Sequence, residues 1–339
     1  SYDLQWIAYY ERTFGKHNVS AQAGYEQWAT SGDYLNAWGK NYTNANFQEI
    51  DGADPDVKYR QPSGNQTNLS GQASYFGRLD YNNDMKYIFG FTFRADGTYI
   101  FPPDKRWGYF PAGSAAWNIS KEEFFEPLKP YISAMKLRAS YGLTGSSATS
   151  PWQWQQSYAY YSSIGYILDG ASSSGVGLGG VVNPDITWEK NKNIDLGTDI
   201  TLFKGLGTLT FDYWYKKTTD ILAARTASTP NTVGASLPAV NYGEAAARGL
   251  EFSVGHNNTV GEFKYGVSGN ISFSTNEYLK IDQANTVRDY QNVIGRSIDG
   301  RISGYHCEGI IHTQADVDRI LAEHGSNFTI FGYKPQPGM

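Results

Sequence analysis

From Tyr75 to Asp96 the chain alternates. Tyr75, Gly77, Leu79 and Tyr81 fall on one parity, and Phe76, Arg78, Asp80 and Asn82 on the other. After Asn83-Asp84 the pattern resumes, with Tyr87, Phe89, Phe91, Phe93 and Ala95 set against Lys86, Thr92, Arg94 and Asp96. Ile88 and Gly90 interrupt the polar set. A period of two sends successive side chains to opposite faces, which is the signature of a β-strand. The polar pair between two such runs marks a hairpin. Strands in soluble domains run about five or six residues, whereas a tilted strand crossing a bilayer needs roughly nine to eleven. These runs reach the second length. One parity suits lipid, and the other, charged and amide-bearing, suits a wet lumen. A large soluble β-sandwich with one solvated face is the alternative this hairpin leaves open.

The same alternation recurs over residues 4–13, 18–30, 69–82, 86–98, 108–119, 135–144, 192–203, 208–218, 244–256 and 262–275. Residues 31–68 are rich in Asn, Gly, Asp and Gln and read as loop, as do the Ser/Gly/Tyr-rich residues 145–191. Gly15-Lys16-His17, Lys204-Gly205 and Asn257-Asn258 read as tight turns. Residues 121–133 have some helical character, and residues 314–323 read as a short surface helix. Short connections follow Thr13, Asn82, Phe203 and His256; long ones follow Thr30, Thr144, Thr218 and Thr275. If each run is one crossing, short and long fall on alternate sides, as in outer-membrane barrels with tight inner turns and long outer loops. That parity places Trp152–Tyr161, which could pass for a strand, in an outer loop as a protruding hairpin. The expected fold class is all-β: a transmembrane antiparallel β-barrel, partial at about ten strands, with long extracellular loops.

Composition narrows the picture. With 26 tyrosines, 37 glycines and 15% aromatic residues, the chain is poorly suited to a helical enzyme. Mean hydropathy is −0.49, and no run of about eighteen apolar residues occurs, so the sequence contains no membrane-spanning helix. A barrel remains open, because alternating outward and inward residues average to a soluble value. The net charge of −5 argues against nucleic acid, which needs a basic stripe. Cys307 is the sole cysteine, which excludes a disulfide framework and a CxxC metal site. Ser1 opens inside a strand-like run with no signal-peptide pattern, so the natural start is expected upstream.

Few residues carry chemistry. Gly175-Val-Gly-Leu-Gly-Gly180 matches GxGxxG, but a Ser-rich loop precedes it and Val181-Val182-Asn183-Pro184 follows, where a dinucleotide site needs a strand and a helix. No cofactor is expected. His306, Cys307 and His312 lie close in sequence without zinc spacing or a fourth partner. Asp51, Asp54 and Asp56 lack the order and closing Glu of an EF-hand, so no metal is expected. Asp195, Asp199 and Asp212 sit on polar faces of neighbouring strands. They could form a glycosidase pair only if two flank a cleft; the plainer reading is lumen charge balanced by Lys192, Lys216 or Arg138. No catalytic triad can be drawn. Asn118 and Asn270 open glycosylation-type triplets but lie inside strands. Trp152, Trp154, Tyr158, Tyr160 and Tyr161 are the one positive recognition signal. Their flat faces suit stacking on a sugar ring or a partner, and equally suit anchoring at the lipid headgroups.

With these residues in view, FGRLDY, KYIFGFTFRADG, RWGYFP and AAWNIS (76–120) resemble the SusC/RagA family of TonB-linked outer-membrane proteins. So do MKLRASYGLTG at 135–145, NPDITWEKNKNIDLGTDITLF and LTFDYWYKKTTDIL at 183–222, and ARGLEFSV at 247–254. The resemblance implies a barrel of roughly twenty-two strands with a plugged lumen. It implies import of oligosaccharides, glycans or peptides, driven through the TonB complex and shared with a SusD-like lipoprotein lid. The location implied is the outer membrane of a Gram-negative, Bacteroidetes-like bacterium. The chain departs from the family pattern at Ser146, at Ala247-Arg248 before Gly249, and at Thr98-Tyr99-Ile100 before Phe101; none of these touches the barrel pattern. Residues 1–339 are expected to be part of the barrel domain, with the plug, the TonB-contacting segment and the last strands outside them. Residues 304–339 resemble the long outer segment before those strands. About ten strands with two unpaired edges cannot span lipid alone, so a fragment of a larger polypeptide or one chain of a split transporter is expected. The rival readings are a soluble or surface-attached β-rich glycan-binding protein and a glycan-cleaving enzyme using Asp195, Asp199 and Asp212.

Overall fold

The structure, a computed structural model, describes the chain except residues 43–45, 47, 48, 51, 52, 57–59, 162–166, 169, 170, 173, 174, 285, 301–306 and 308. Two compact units result, Ser1–Ile298 and Asp299–Met339. In chain order the first holds β1 (Tyr2–Phe14), β2 (His17–Gly39), β3 (Arg60–Asn83), β4 (Tyr87–Thr98), β5 (Trp107–Asn118) and β6 (Ile132–Ser146). Four short strands follow: β7 (Tyr158–Tyr161), β8 (Ile167–Leu168), β9 (Ala171–Ser172) and β10 (Gly175–Leu178). Then come β11 (Glu189–Leu202), β12 (Gly207–Ala224), β13 (Ala239–Val260) and β14 (Phe263–Lys280). Ten of these form one antiparallel sheet in the order β1-β2-β3-β4-β5-β6-β11-β12-β13-β14. β1 and β14 are its two open edges.

Register sorts the side chains into two faces. Across the strands, Tyr10, Ala21, Leu79, Phe91, Gly113, Tyr141, Ile194 and Tyr215 stand opposite one another in turn. The next row is Val19, Tyr81, Phe89, Ala115, Ala139, Leu196, Tyr213, Leu250 and Phe273. Phe89, Phe91, Leu196 and Phe273 are each about half exposed or more. An exposed apolar face this broad far exceeds the few hundred Å² a soluble monomer tolerates. The opposite parity carries Ser20, Asp80, Gly90, Ser114, Ser140, Asp195 and Trp214 in one row. Facing sheets with a dry interior, as a sandwich requires, are not what these strands form.

Aromatic rings gather at both ends of the apolar face. At one end Tyr25 packs on Tyr75 with centroids 4.9 Å apart, and Tyr75 stacks on Trp107 at 5.8 Å. At the other, Trp117 meets Phe124 edge-on at 6.4 Å, and Phe263 stacks on Tyr265 at 5.9 Å. From Tyr2 to Phe14, strand β1 covers about 40 Å at roughly 3.3 Å per residue. Tilted by about 40°, that spans a bilayer core of about 30 Å.

All tight connections share one rim. They join β1 to β2, β3 to β4, β11 to β12 and β13 to β14, and the β5–β6 link of two 3₁₀ turns, Ile119–Lys121 and Glu123–Leu128, lies with them. Between β3 and β4, Asp84 and Met85 both adopt left-handed φ, 51° and 55°, as in a hairpin turn matched to strand twist. Glu122 ties this rim together: it pairs with Lys86 at 2.7 Å and accepts hydrogen bonds from Tyr87 Oη at 2.7 Å and Trp117 Nε1 at 3.1 Å. The Lys86 contact, then the Tyr87 hydroxyl, hold its carboxyl below the usual carboxylate range.

Two expectations are corrected. Much of residues 31–68 is strand: β2 runs on to Gly39 and β3 starts at Arg60, paired from Gly32↔Thr67 to Gly39↔Arg60 beyond a bulge. The hairpin rises past the apolar zone, where backbone pairing needs no apolar face and the alternation vanishes. Asn257 and Asn258 are also strand residues, opposite Gly266 and Tyr265. The turn comes later, where Gly261 supplies the left-handed φ of 64°. In the second unit, α1 (Gln314–His324) is N-capped by Thr313, whose side chain accepts from the Asp316 N–H while the Asp316 carboxylate accepts from the Thr313 N–H.

Candidate functional site

On the polar face, Arg138 of β6 and Asp212 of β12 flank Gly197 of the intervening β11. Arg138 Nε and Nη2 donate to the two Asp199 oxygens at 2.9 and 3.0 Å, and Nη2 also lies 2.9 Å from Asp212 Oδ1. Lys136 Nζ adds a contact to Asp199 at 2.9 Å. The guanidinium therefore reaches across a whole strand, which requires nothing to stand on that strand's face. A Cβ on Gly197 would sit 2.0 Å from Asp212 Oδ1 and 2.8 Å from Arg138 Nη2. Gly197→Ala is therefore expected to push Asp212 aside and cost about 1–2 kcal/mol of stability. A urea titration of the folded protein reads this directly, and an unchanged midpoint would mean the pair carries nothing.

Of the cations expected to balance the carboxylates, Arg138 does so. Lys216 shares the face but has no ion pair among the described residues. Lys192 shares the parity of Ile194 and Leu196 and points to the apolar side, so it cannot take part. Asp195 lies opposite Ser140 and Trp214. Asp199 and Asp212, both held by a cation, are not arranged as a free acid and base. Lys136 and Gly197 were missed in sequence, although the alternation that placed Asp199 on this face places both of them there too.

At the long-loop rim, residues far apart in sequence build a small core. Phe101, Phe110, Ile186 and Trp188 are buried together, with Trp154 packed against them. Trp188 meets Phe101 and Phe110 edge-on, with centroids 5.5 and 5.4 Å apart, and its Nε1 donates to Arg106 O at 3.0 Å. A polar clasp surrounds it. Asn183 Nδ2 donates to Ala239 O at 2.8 Å, the Ala239 N–H donates to Gln153 Oε1 at 2.9 Å, and the Thr187 N–H donates to Asn241 Oδ1 at 2.9 Å. Lys105 pairs with Asp185. The segment Asn183–Trp188 thereby fastens residues 99–106, the loop after β6, and the ends of β12 and β13.

The loop aromatics separate on this platform. Trp154 is half-buried, packed against the core. Trp152 lies on top, 6.1 Å from Trp154 and edge-on to Tyr99 at 5.8 Å, and is 44% exposed. It also lines a shallow cleft of about 390 Å³ with Tyr2, Leu69 and Tyr99. Tyr158, 72% exposed, stands apart on β7, which pairs with β10 as a separate two-stranded ribbon. The side chains of Tyr160 and Tyr161 lie outside the described residues. Of the stretch Trp152–Tyr161 expected as a protruding hairpin, only Tyr158–Tyr161 is strand, paired with Gly175–Leu178, while Trp152 and Trp154 join the rim packing, so the recognition set is split between packing and open surface.

The remaining motifs resolve by context. The first four residues of the GxGxxG match are strand β10, and no helix follows it. Cys307 is exposed, and His306 and Asp51 lie outside the described residues. The Asp56 N–H donates to Asp54 Oδ1 at 3.0 Å, a local turn contact. Among the described residues no group of three or more His, Cys, Asp or Glu side chains is placed to hold a metal.

A sheet of membrane-length strands, greasy outside with aromatic rows at both ends and ion-paired on the other face, is the wall of a transmembrane β-barrel. A family model described as TonB dependent receptor-like, beta-barrel matches residues 1–303, and the chain belongs to that family of receptors and transporters. It is 34% identical over 277 residues to TonB-dependent receptor P3 of Formosa agariphila, covering 80% of this chain and 26% of that one. It is 29% identical over 228 residues to TonB-dependent receptor SusC of Bacteroides thetaiotaomicron, covering 67% and 22%. The solved RagAB peptide transporter superposes with a TM-score of 0.70 over 82% of this chain and 30% of that one, at 21% identity. The SusC/RagA resemblance and the barrel fold both hold. The chain spans about a quarter of the length of the curated relatives it matches.

Proposed function

We propose that this chain supplies wall and outer loops to a TonB-dependent importer of large nutrients, in the outer membrane of a Gram-negative, Bacteroidetes-like bacterium. The observation that carries the reading is the pair of lipid-facing rows, Tyr10 to Tyr215 and Val19 to Phe273, bounded by aromatic rings at both strand ends. Open edges along β1 and β14 call for further strands, so residues 1–339 act as part of a larger barrel whose plug and remaining strands come from elsewhere. A SusD-like lipoprotein covers the long-loop rim, and the TonB complex acts through the plug. Cargo is oligosaccharide or peptide. Trp152 and Tyr158 offer open rings for stacking, with Trp154 supporting Trp152 from below and Tyr160 on the same ribbon as Tyr158.

The test uses the natural full-length protein. It should stay with outer membranes through an alkaline wash and need detergent for release, and uptake of its cargo should stop when TonB is deleted. Trp152→Ala with Tyr158→Ala should lower uptake about fivefold or more, the scale of one or two stacking contacts, with surface abundance unchanged. Recovery in wash-soluble material would defeat the reading.

A further inference from the structure

Beyond the apolar rows, β2 and β3 leave the wall together as a two-stranded arm. β4 pairs with β3 only as far as Gln72↔Thr98, and the last contact on that side is the Tyr99 N–H donating to Gly71 O at 3.3 Å. β2 stays with β3 well past that point, from Gly32↔Thr67 to Gly39↔Arg60. The chain after β4 turns away. The Thr98 N–H donates to Arg106 O at 3.2 Å, and Phe101 is buried in the rim core. Among the described residues, no strand of the sheet therefore lies beside Arg60–Ser70 on the side that β4 gives up. The edges of β1 and β14 can be covered by further wall strands. This one lies between β3 and β4 in the sheet order, so a wall strand would have to displace β4 to reach it.

An edge strand turns the N–H and C=O of every second residue outward, and natural proteins guard such edges with charge, proline or bulges. Here Pro62 stands at one end of the run and the bulge beside Ser31 at the other. Between them Ser63, Gly64, Asn65, Gln66 and Thr67 pair regularly with β2, and none of the five is charged. At roughly 3.4 Å per residue the run is about 17 Å long, enough for about five residues of an added strand. At its foot is the cleft of about 390 Å³, where Leu69, Ser70 and Gly71 of β3 meet Tyr99 and the exposed Trp152. An unguarded backbone edge thus leads down into an apolar hollow.

We propose that this edge captures extended oligopeptides, which add to the arm as a third strand beside Ser63–Thr67 and set an apolar side chain into the Trp152 cleft. The proposal rests on the importer reading and narrows its cargo to peptide. The complement of a strand edge is a chain whose amides repeat at strand spacing, and an oligosaccharide has no such repeat. Main-chain pairing supplies affinity whatever the sequence, while a pocket for one side chain supplies preference. The site therefore accepts many peptides that share one apolar anchor.

Full-length protein in detergent is titrated with a fluorescent, end-capped octapeptide of alternating threonine and valine that ends in phenylalanine, binding being read by anisotropy. Two further peptides carry N-methyl groups on the odd or on the even residues. Because only one parity of amides faces the edge, one of them should bind about tenfold or more weakly and the other within about twofold of the parent. Deleting residues 34–65 and joining Asp33 to Gln66 through an Asn-Gly turn should cost about as much. Trp152→Ala should weaken the parent about threefold and leave a peptide ending in alanine unchanged. Maltoheptaose at matched concentration should not compete. Methylation that weakens both parities alike or neither, full binding to the shortened arm, or competition by maltoheptaose would each overturn the site. So would protein dimers that dissolve when the arm is shortened, since the edge would then belong to a second copy. The methylation result needs no variant, so misfolding of the shortened protein cannot obscure it. If the wild type keeps its detergent dependence and heat-shifted electrophoretic mobility yet ignores the peptide, the arm proposal alone falls; if it lacks them, the barrel reading fails first.

Discussion

Arginine in place of Ala115 is expected to destabilise the folded wall by about 2–4 kcal/mol, while arginine one residue earlier, at Ser114, should change stability by under about 1 kcal/mol. The two positions are neighbours on β5, both exposed, and differ only in the face they occupy. Ala115 lies between Phe89 and Ala139 and opens into the outward hollow lined by Leu79, Phe91 and Leu196. A guanidinium there has hydrocarbon around it and no carboxylate on its face nearby. Ser114 lies opposite Gly90, and the space above that glycine is bordered by both the Ser114 hydroxyl and Asp80 Oδ1. An arginine there meets water and a carboxylate. The measurement is urea unfolding of the full-length protein in lipid vesicles, followed by tryptophan fluorescence. Equal losses at the two sites would mean that the faces do not divide lipid from water, and the membrane assignment would fall.

That division was legible in the sequence because a barrel wall repeats one rule at every strand. Tyr87, Phe89, Phe91 and Phe93 announce their face by spacing alone, and connection lengths sort the rims without any contact being known. The rule stops where lipid stops. Residues 32–39 and 60–67 pair as strands beyond the apolar rows, where backbone pairing needs no greasy face and the sequence shows no alternation to read. Asn257-Asn258 looked like a turn because amides suit turns, yet the strand had no reason to end there and ran on to a glycine able to reverse it. The candidate site was less legible, since its contacts join distant parts of the chain. Lys192 was expected among the lumen cations although it shares the parity of Ile194 and Leu196, so the alternation itself already spoke against it. What parity could not supply was that Arg138 reaches Asp212 across a glycine, or that Trp154 is support while Trp152 is surface. Those roles depend on Asn183–Trp188 meeting residues 99–106, a pairing that neither segment signals by itself.

Removing the centre of that meeting point should have the larger consequence for the loops. Trp188→Ala is expected to cost about 3–5 kcal/mol, the usual range for a buried tryptophan, because Trp188 is 6% exposed and fills the space between Phe101 and Phe110. Trp188→Phe keeps a ring in that space and forfeits the hydrogen bond to Arg106 O, a loss of about 1 kcal/mol, so the pair of variants separates packing from polar closure. The damage should be local. The wall is held by ladders from β1 to β14 that do not pass through Trp188, whereas the loop after β6 is fastened to its neighbours through Asn183, Gln153 and the buried rings. Limited proteolysis of Trp188→Ala in membranes should therefore cut within residues 147–188 while the protein keeps its heat-shifted mobility. In the wild type the same loop should resist. Should the wall and the loop instead be lost together, the rim core would be part of the barrel's own cooperative unit, and the loops could not rearrange around cargo without opening the strands beneath them.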